Sequence, residues 1–397
     1  MSEPRRRKIL LGMTGGIAAY KAAELVRALV LEEAEVRVVM TEAATRFITP
    51  HTMQALSGHP VHTDMWDTRI DNGMSHIELS RDAGVIVVAP ASADFLSKLA
   101  HGAADDLLST LCLARDCPLI VAPAMNRQMW QHPATQRNVA MLREDGVIVL
   151  GPDSGSQACG ETGMGRMTEP DSLAEQILGW FEPKVLDRLN VVVTAGPTFE
   201  RIDAVRGLTN LSSGRMGYAV ARAARDAGAR VALVTGPTML TPPGGVRVIR
   251  VTSAQDMLEA VERALSDCHI FVSVAAVADY APLNPQEHKI KKDARILGLE
   301  LAPTADILAN VASRANPPFC VGFAAESQNL DEYAETKRKR KHLPLLAANL
   351  AQEAMGAETN ELILFDDDGR HVLPRASKLA QARMLIQHTA QLYARSR

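Results

Sequence analysis

The stretch KILLGMTGGIAAYKAAELVRALVLEEAEVRVVMT, Lys8 to Thr41, decides the fold. It opens on a short apolar run, KILLG, and passes through a turn holding Gly12, Gly15 and Gly16. It continues with apolar residues at helical spacing and ends in a second apolar run, EVRVVMT. Strand, glycine-rich turn, amphipathic helix and strand form the unit from which parallel sheets are built, because a parallel neighbour needs a crossover connection. The preceding basic residues make RRRKILLGMTGGIAAYKAAE look like a leader with a basic head and a short apolar stretch. Lys21 and Glu24 follow at once, however, and the strand–helix–strand pattern runs on, so a first strand is the better reading. No run approaches the roughly 20 apolar residues that a membrane-spanning helix needs.

The same alternation recurs down the chain. GVIVVAPA, PLIVAPAM and GVIVLGP are further apolar runs of strand length, separated by helical-period stretches. The pattern restarts near residue 190 with NVVVTAGPT, followed by RVALVTGPT, HIFVSVAAVADY and FCVGFAAE. Between the two series, FEPKVLDRLN breaks a helix with Pro183 and reads as a linker. The chain is therefore expected to hold two doubly wound α/β domains with mainly parallel sheets, residues 1–185 and 186–397. Sheets of this kind bind ligands at the carboxyl ends of their strands, next to helix N-termini. The 397 residues are 47% hydrophobic and 22% charged, with a formal net charge of −3. That composition supplies a sizeable core and lacks the basic field of a nucleic-acid binder. Five cysteines, an odd number without a CxxC pair, fit a reducing cytoplasm better than a disulfide scaffold and offer no zinc spacing.

In the first half, GMTGGIAAYK places its glycines between a strand and a helix, where backbone N–H groups can meet an anion. PASADFLSK brings Ser92 and Asp94 to a helix start, as caps or as ligand contacts. APAMN delivers Asn126 to the same edge, and MSHIELS carries His76, a residue type that standing alone is more often structural than catalytic. GSQACGETGMGRM, Gly155 to Met167, surrounds Cys159 with glycines, in a segment built to bend rather than to pack. In order and spacing, GGIAAYK, SHIEL, PASAD, PAMN and GSQACGETGMGRM resemble the homo-oligomeric flavin-containing Cys decarboxylases. More closely, they resemble the N-terminal half of the bacterial bifunctional phosphopantothenoylcysteine decarboxylase / phosphopantothenate–cysteine ligases of coenzyme A synthesis. The resemblance covers residues 8 to about 180 and implies a flavodoxin-like or Rossmann-like flavoprotein. It implies FMN contacts at Gly15, Gly16, Ile17, Thr41, Ser92, Asp94 and Ala124, and an active site of His76, Asn126 and Cys159. In that reading the glycine-rich segment is a lid that delivers Cys159 as proton donor. Asn126 holds the substrate carboxylate and His76 assists oxidation of the substrate thiol.

The second half offers hydroxyls and backbone amides in Gly196-Pro197-Thr198 and Ser212-Ser213-Gly214, the latter entering a helix whose N-terminus suits a phosphate. The basic run ETKRKRKHL reads alone as a solvated helix face, yet Lys337 and Lys341 are four apart and share one side. With Lys289 of HKIKKD they are able to surround a triphosphate. Asp279 is placed to hydrogen-bond a base or ribose, or to bind Mg2+ through water; no direct metal ligand is identified. These strings resemble the ligase half of the same bifunctional family. The resemblance implies a Rossmann-like nucleotide-binding domain that activates 4′-phosphopantothenate with CTP as an acyl cytidylate and passes the acyl group to cysteine. It implies Asn210 and Lys289 as catalytic, and Asp279, Lys289, Thr304, Ala305, Asp306, Ile307, Phe323, Lys337 and Lys341 as CTP contacts. Four positions depart from the family pattern: Thr304-Ala305 in place of Asn-Pro, Arg215 in place of lysine, and Leu350 in place of a frequent aspartate. The first pair bears on base preference, and Arg215 keeps the charge while presenting a planar fork.

Two other classes are open on the residues alone. A nicotinamide-dependent oxidoreductase wants GxGxxG and an acidic residue about 20 positions on, a pattern from which GMTGGIAAYK departs. A regulatory flavoprotein that only binds is expected to lack the histidine or the cysteine, and His76 and Cys159 are both present. The resemblance further implies a cytoplasmic homo-oligomer, decarboxylase trimers linked by ligase dimers into a dodecamer. Its partners would be small molecules alone (4′-phosphopantothenate, cysteine and CTP with Mg2+), with neither nucleic acid nor membrane.

Overall fold

The computed structural model describes residues 7–66, 75–158, 160–291, 297–326, 329–350 and 359–397. The chain divides into two compact units, Met1–Phe181 and Glu182–Arg397. In the first, β1 (Lys8–Met13), β2 (Glu35–Met40), β3 (Val61–His62), β4 (Val85–Ala91), β5 (Leu119–Pro123) and β6 (Ile148–Val149) form one parallel sheet. Its order is β3-β2-β1-β4-β5-β6. Around it run α1 (Ala19–Leu31), α2 (Glu42–Thr45), α3 (Pro50–Ser57), α4 (Ser75–Asp82), α5 (Ala93–His101), α6 (Leu107–Ala114), α7 (Arg127–Gln131), α8 (Pro133–Glu144) and α9 (Pro170–Trp180).

Strand β1 shows why its sequence is continuously apolar. Successive side chains point to opposite faces. Ile9, Leu11 and Met13 meet Leu25 and Leu29 of α1 and Leu173 and Ile177 of α9 on one side. Leu10 joins Phe95, Leu108 and Leu111 of α5 and α6 on the other. Gly12 lets Leu108 press against the strand, since a Cβ there would lie 2.4 Å from Leu108 Cδ1. Of the run GVIVLGP only Ile148 and Val149 pair, as the edge strand β6. The glycine-rich segment forms an antiparallel hairpin, β7 (Asp153–Ser156) and β8 (Thr162–Arg166).

In the second unit, β9 (Asn190–Ala195) is followed by the small hairpin β10 (Phe199–Arg201) and β11 (Gly207–Thr209), then by β12 (Arg230–Thr235), β13 (Arg247–Arg250) and β14 (Ile270–Ser273). A second small hairpin, β15 (Tyr280–Pro282) and β16 (Leu301–Pro303), precedes β17 (Phe319–Glu326), β18 (Leu345–Leu350), β19 (Thr359–Asn360), β20 (Ile363–Asp366) and β21 (Gly369–Val372). The main sheet runs β13-β12-β9-β14-β17-β18-β20-β21, parallel as far as β18 and antiparallel beyond it. Val191, Val193 and Ala195 pack on α10 (Arg215–Asp226) and on the C-terminal helix Lys378–Arg395. Val192, Val234 and Phe271 face α11 (Ala254–Ala264), α12 (Ile307–Ala312) and α13 (Leu330–Arg340). The segment read as a linker belongs to this unit: Lys184 Nζ donates to Asp226 O at 2.7 Å and Leu186 is buried in its core.

Candidate functional site

Both sheets reverse strand order beside their first strand, at β1/β4 and at β9/β14. In open α/β sheets the crevice at such a reversal takes the ligand. In the N-terminal unit, Thr14 ties the two strand ends together. Its N–H and Oγ1 both donate to Pro90 O, at 3.2 and 2.7 Å, and its Oγ1 accepts from Ser92 N–H at 2.9 Å. The turn holding Gly15 and Gly16 is thereby fixed beside the start of α5. A Cβ on Gly15 would lie 2.6 Å from that of Ala43, whereas at Gly16 it would meet open space. Thr41 caps α2 through Ala44 N–H at 3.3 Å, and Ser92 caps α5 through Phe95 N–H at 3.2 Å. Asn126 caps α7 through Met129 N–H at 3.0 Å. Helix α1 starts without a side-chain cap. Ala124 N–H donates to Ala91 O at 3.0 Å, setting the Ala124–Asn126 loop beside Ser92 and Asp94. Ile17 and Asp94 are exposed on this edge. His76 is half-buried in the first turn of α4, which packs on α6.

The β7–β8 hairpin docks on the loop that carries Asn126. Met125 N–H donates to Gly165 O at 3.0 Å, and Arg127 N–H to Gln157 Oε1 at 3.0 Å. Gln128 Nε2 donates to Glu161 Oε1 at 2.6 Å. The contact requires glycine: Gly165 has φ +139°, and a Cβ there would lie 2.3 Å from Met125 O. Cys159 follows Ala158 in the sequence and lies outside the described residues.

In the C-terminal unit the reversal opens into a cavity of about 460 Å³. One wall is the Ser212–Gly217 loop, which ends in the start of α10. Gly214, at φ +78°, is the N-cap of that helix, and no side chain caps it. A second wall follows β14 from Ser273 to Asp279, and a third is the N-terminus of α12 with Thr304, Ala305, Asp306 and Ile307. Phe323 contributes from β17. Four cations line the cavity: Arg215, Lys337, Lys341 and Lys378. Lys337 Nζ donates to Phe323 O at 3.1 Å and Lys341 Nζ pairs with Asp306 Oδ2 at 2.5 Å. Burial pushes the Asp306 carboxyl up, but the Lys341 contact, Ala309 N–H and nearby Lys337 prevail and hold it below its ordinary value. Burial, and then neighbouring Arg215, hold the Lys378 ammonium below the usual lysine range. The main cause is burial, and the Arg215 charge adds to it, so an anion bound beside the two would favour the charged form of Lys378. The basic run therefore divides by helix face: Lys337 and Lys341 reach the cavity, while Arg338 is buried against Glu335 and Asp367 at 2.9 and 2.8 Å.

Asn210 and Lys289 are not among the cavity-lining residues. The Asn210 side-chain amide donates to Ala276 O, and its carbonyl accepts from Ser212 N–H at 3.1 Å. It pins the loop before α10 without capping the helix. Lys289 is exposed on the long connection between β15 and β16. That connection is moored by Asp203, whose Oδ2 accepts from Ile290 N–H at 3.1 Å, while Arg206 donates to Ile290 O at 2.9 Å. Lys378 and Asn349 also line the cavity, and sequence reasoning missed both. Lys378 follows Ser377, whose hydroxyl caps the C-terminal helix through Ala380 N–H, so a helix-start signal stood beside it.

Two family models cover the chain: "Flavoprotein" over residues 1–182 and "DNA/pantothenate metabolism flavoprotein C-terminal domain" over residues 186–393. The coenzyme A biosynthesis bifunctional protein CoaBC of Vibrio cholerae serotype O1 is 47% identical over 390 residues, 96% of this chain and 98% of its own. The protein of that name from Escherichia coli K12 is 45% identical over 395 residues, 98% of this chain and 97% of its own. A crystal structure of the C-terminal domain of a CoaBC protein, 38% identical, aligns with 53% of this chain and 97% of its own at a TM-score of 0.46. The chain belongs to the family of coenzyme A biosynthesis bifunctional proteins, CoaBC.

Proposed function

We propose that the chain performs two consecutive reactions: CTP-dependent ligation of cysteine to 4′-phosphopantothenate, then FMN-dependent decarboxylation of the product to 4′-phosphopantetheine. The observation that carries the ligase assignment is the four-cation cavity at the uncapped N-terminus of α10. A triphosphate there meets Arg215, Lys337, Lys341 and Lys378, together with the backbone amides and positive dipole end of a helix start. Asp279, on the cavity wall, faces the nucleotide or a Mg2+ that enters with it. Lys289 closes over the α-phosphate from its moored connection as charge builds there. Asn210 holds the loop that receives the acyl group.

The N-terminal edge fits FMN on its own geometry. Gly16 faces open space, α1 lacks a side-chain cap, and Ser92 and Thr41 bring hydroxyls to the same crevice. Gly15, Ile17, Asp94 and Ala124 complete the rim. When bound, FMN supplies the two-electron oxidation of the substrate thiol and its later reversal. His76 assists removal of the thiol proton, Asn126 orients the carboxylate that leaves as CO2, and Cys159 returns a proton to the decarboxylated product. The hairpin that carries Cys159 excludes water while docked.

Residues 1–185 and 186–397 carry the two activities. A cytoplasmic homo-oligomer, decarboxylase trimers joined through ligase dimers, completes the reading. Exposed apolar side chains support it: Ile17, Tyr20, Phe47 and Trp66 in the first unit, and Leu211, Tyr280, Leu283 and Leu301 in the second. Among the described residues no helix is long and apolar enough to cross a membrane. The purified chain is expected to be yellow with flavin absorbance. A chain that is colourless and takes up no added FMN contradicts the decarboxylase assignment.

A further inference from the structure

Away from both crevices, three side chains from separate elements meet on the C-terminal unit: Asp366 ending β20, His371 on β21 and His388 on the C-terminal helix. Their ligand atoms, one carboxylate oxygen and two imidazole nitrogens, all lie within 4.8 Å of one another. His371 Nε2 is 2.9 Å from Oδ1 of Asp366, and His388 Nε2 is 2.7 Å from Oδ2. The two rings stand 4.9 Å apart at centroids, with planes tilted by 53°. The Asp366 side chain is 1% exposed, against 36% and 20% for the two imidazoles. The carboxylate is thus the floor of a small pit whose mouth is imidazole. The adjacent carboxylates are engaged elsewhere, Asp367 with Arg338 at 2.8 Å and Asp368 with Arg395 at 2.7 Å. Backbone N–H groups of Asp368 and Gly369 donate to Asp366 Oδ1 at 2.9 and 3.1 Å and fix its orientation.

We propose that Asp366, His371 and His388 form a binding site for a divalent transition-metal ion of the zinc type. Two imidazoles and one carboxylate are a borderline-soft donor set, suited to Zn2+ and its neighbours rather than to Mg2+, which prefers oxygen ligands and keeps its waters. Ligands about 2.0–2.2 Å from a tetrahedral ion stand about 3.3–3.6 Å apart. The present contacts, 2.9 Å to Oδ1 and 2.7 Å to Oδ2, therefore need to open by about 0.4–0.9 Å, within reach of ring rotation. The backbone donors to Oδ1 are the outer contacts that orient a ligating carboxylate, and the exposed sides of the imidazoles leave an entry path and room for a water. None of the three lines the nucleotide cavity. The ion would staple the β20–β21 hairpin to the C-terminal helix, whose first residue, Lys378, does line it.

The test uses the full-length, flavin-loaded chain dialysed to equilibrium against Zn2+ in the presence of excess Mg2+, with bound metal counted by mass spectrometry. His371→Gln and His388→Gln are run beside the unaltered chain. The expected result is one more Zn2+ per unaltered chain than per variant. A rise of about 5–10 °C in melting temperature at about 100-fold excess over Kd should be seen in the unaltered chain alone. Equal Zn2+ in all three proteins, or equal thermal shifts, would overturn the site. A Co2+ titration of the unaltered chain gives a reading that needs no variant. Intense visible bands beyond the flavin absorption, removed by Zn2+, are expected; the weak absorption of a six-coordinate ion alone overturns the proposal.

Discussion

Replacing Gly165 by alanine tests whether docking of the β7–β8 hairpin governs decarboxylation. Gly165 holds φ +139°, where an L-residue carries a strain of about 1–3 kcal/mol. The new Cβ would stand 2.3 Å from Met125 O, so hairpin and loop have to part. Parting loses the Met125 N–H to Gly165 O bond, worth about 1 kcal/mol. Together the docked state weakens by about 2–4 kcal/mol, or roughly 30- to 700-fold in its population relative to the undocked state. Decarboxylation should fall by about 10²-fold, because Cys159 no longer reaches the substrate, while pyrophosphate release from CTP is unchanged and serves as internal control. Gln157→Ala, which removes the contact with Arg127 N–H but strains nothing, should give a smaller loss of about tenfold. Full decarboxylase activity in the Gly165 variant, or equal loss of both activities, would refute the reasoning.

Cys159→Ser should halt the decarboxylase after CO2 loss, with reduced flavin persisting and the ligase untouched; normal 4′-phosphopantetheine formation would show the thiol to be dispensable. Lys289→Gln should block pyrophosphate release from CTP by about 10²–10³-fold. Asn210→Asp should instead permit activation and let acyl cytidylate accumulate, as rapid quench with mass detection would reveal; failure of both variants at activation would sink this division of roles. The Arg206 guanidinium beside Asp203, with the N–H groups of Val205, Ile290 and Arg206, holds the Asp203 carboxyl well below the usual carboxylate range. A group depressed in the folded state stabilises fully above its unfolded value, near pH 4, and that stabilisation is lost as pH falls through the folded one. Asp203→Asn should therefore be less stable at pH 7 and flatter between about pH 4 and 2 in urea unfolding, with slowed activation as the Lys289 connection loosens. An unchanged acid limb would contradict it.

The sheets were legible because their strands are buried on both faces. Continuous apolar runs such as KILLG and NVVVTA have no other use in a chain of this composition. The glycine-rich turn and the Ser-Ser-Gly loop could be placed as well, because each punctuates a strand-to-helix change. The hairpin at Asp153–Arg166 was less visible: its strands are mostly exposed, Gly-rich and without alternation, so the segment looked only like a flexible lid. The loop 182–189 read as a linker because Pro183 and its charges mask Leu186, whose burial depends on α10 arriving from more than thirty residues away. Lys378 had a helix-start signal beside it in Ser377, but the cavity it enters is assembled from strands and loops distant in the chain. The Asp366–His371–His388 pit lay beyond sequence reasoning because the C-terminal helix has to bring His388 onto the hairpin that holds the other two.

The central claim is that one chain performs both reactions in sequence. The measurement is mass analysis of the full-length chain incubated with 4′-phosphopantothenate, CTP, cysteine and Mg2+, sampled over time. The account predicts release of pyrophosphate, transient 4′-phospho-N-pantothenoylcysteine, and its conversion to 4′-phosphopantetheine with loss of CO2. Absence of the amide, or an amide that persists undiminished with flavin bound, would contradict it.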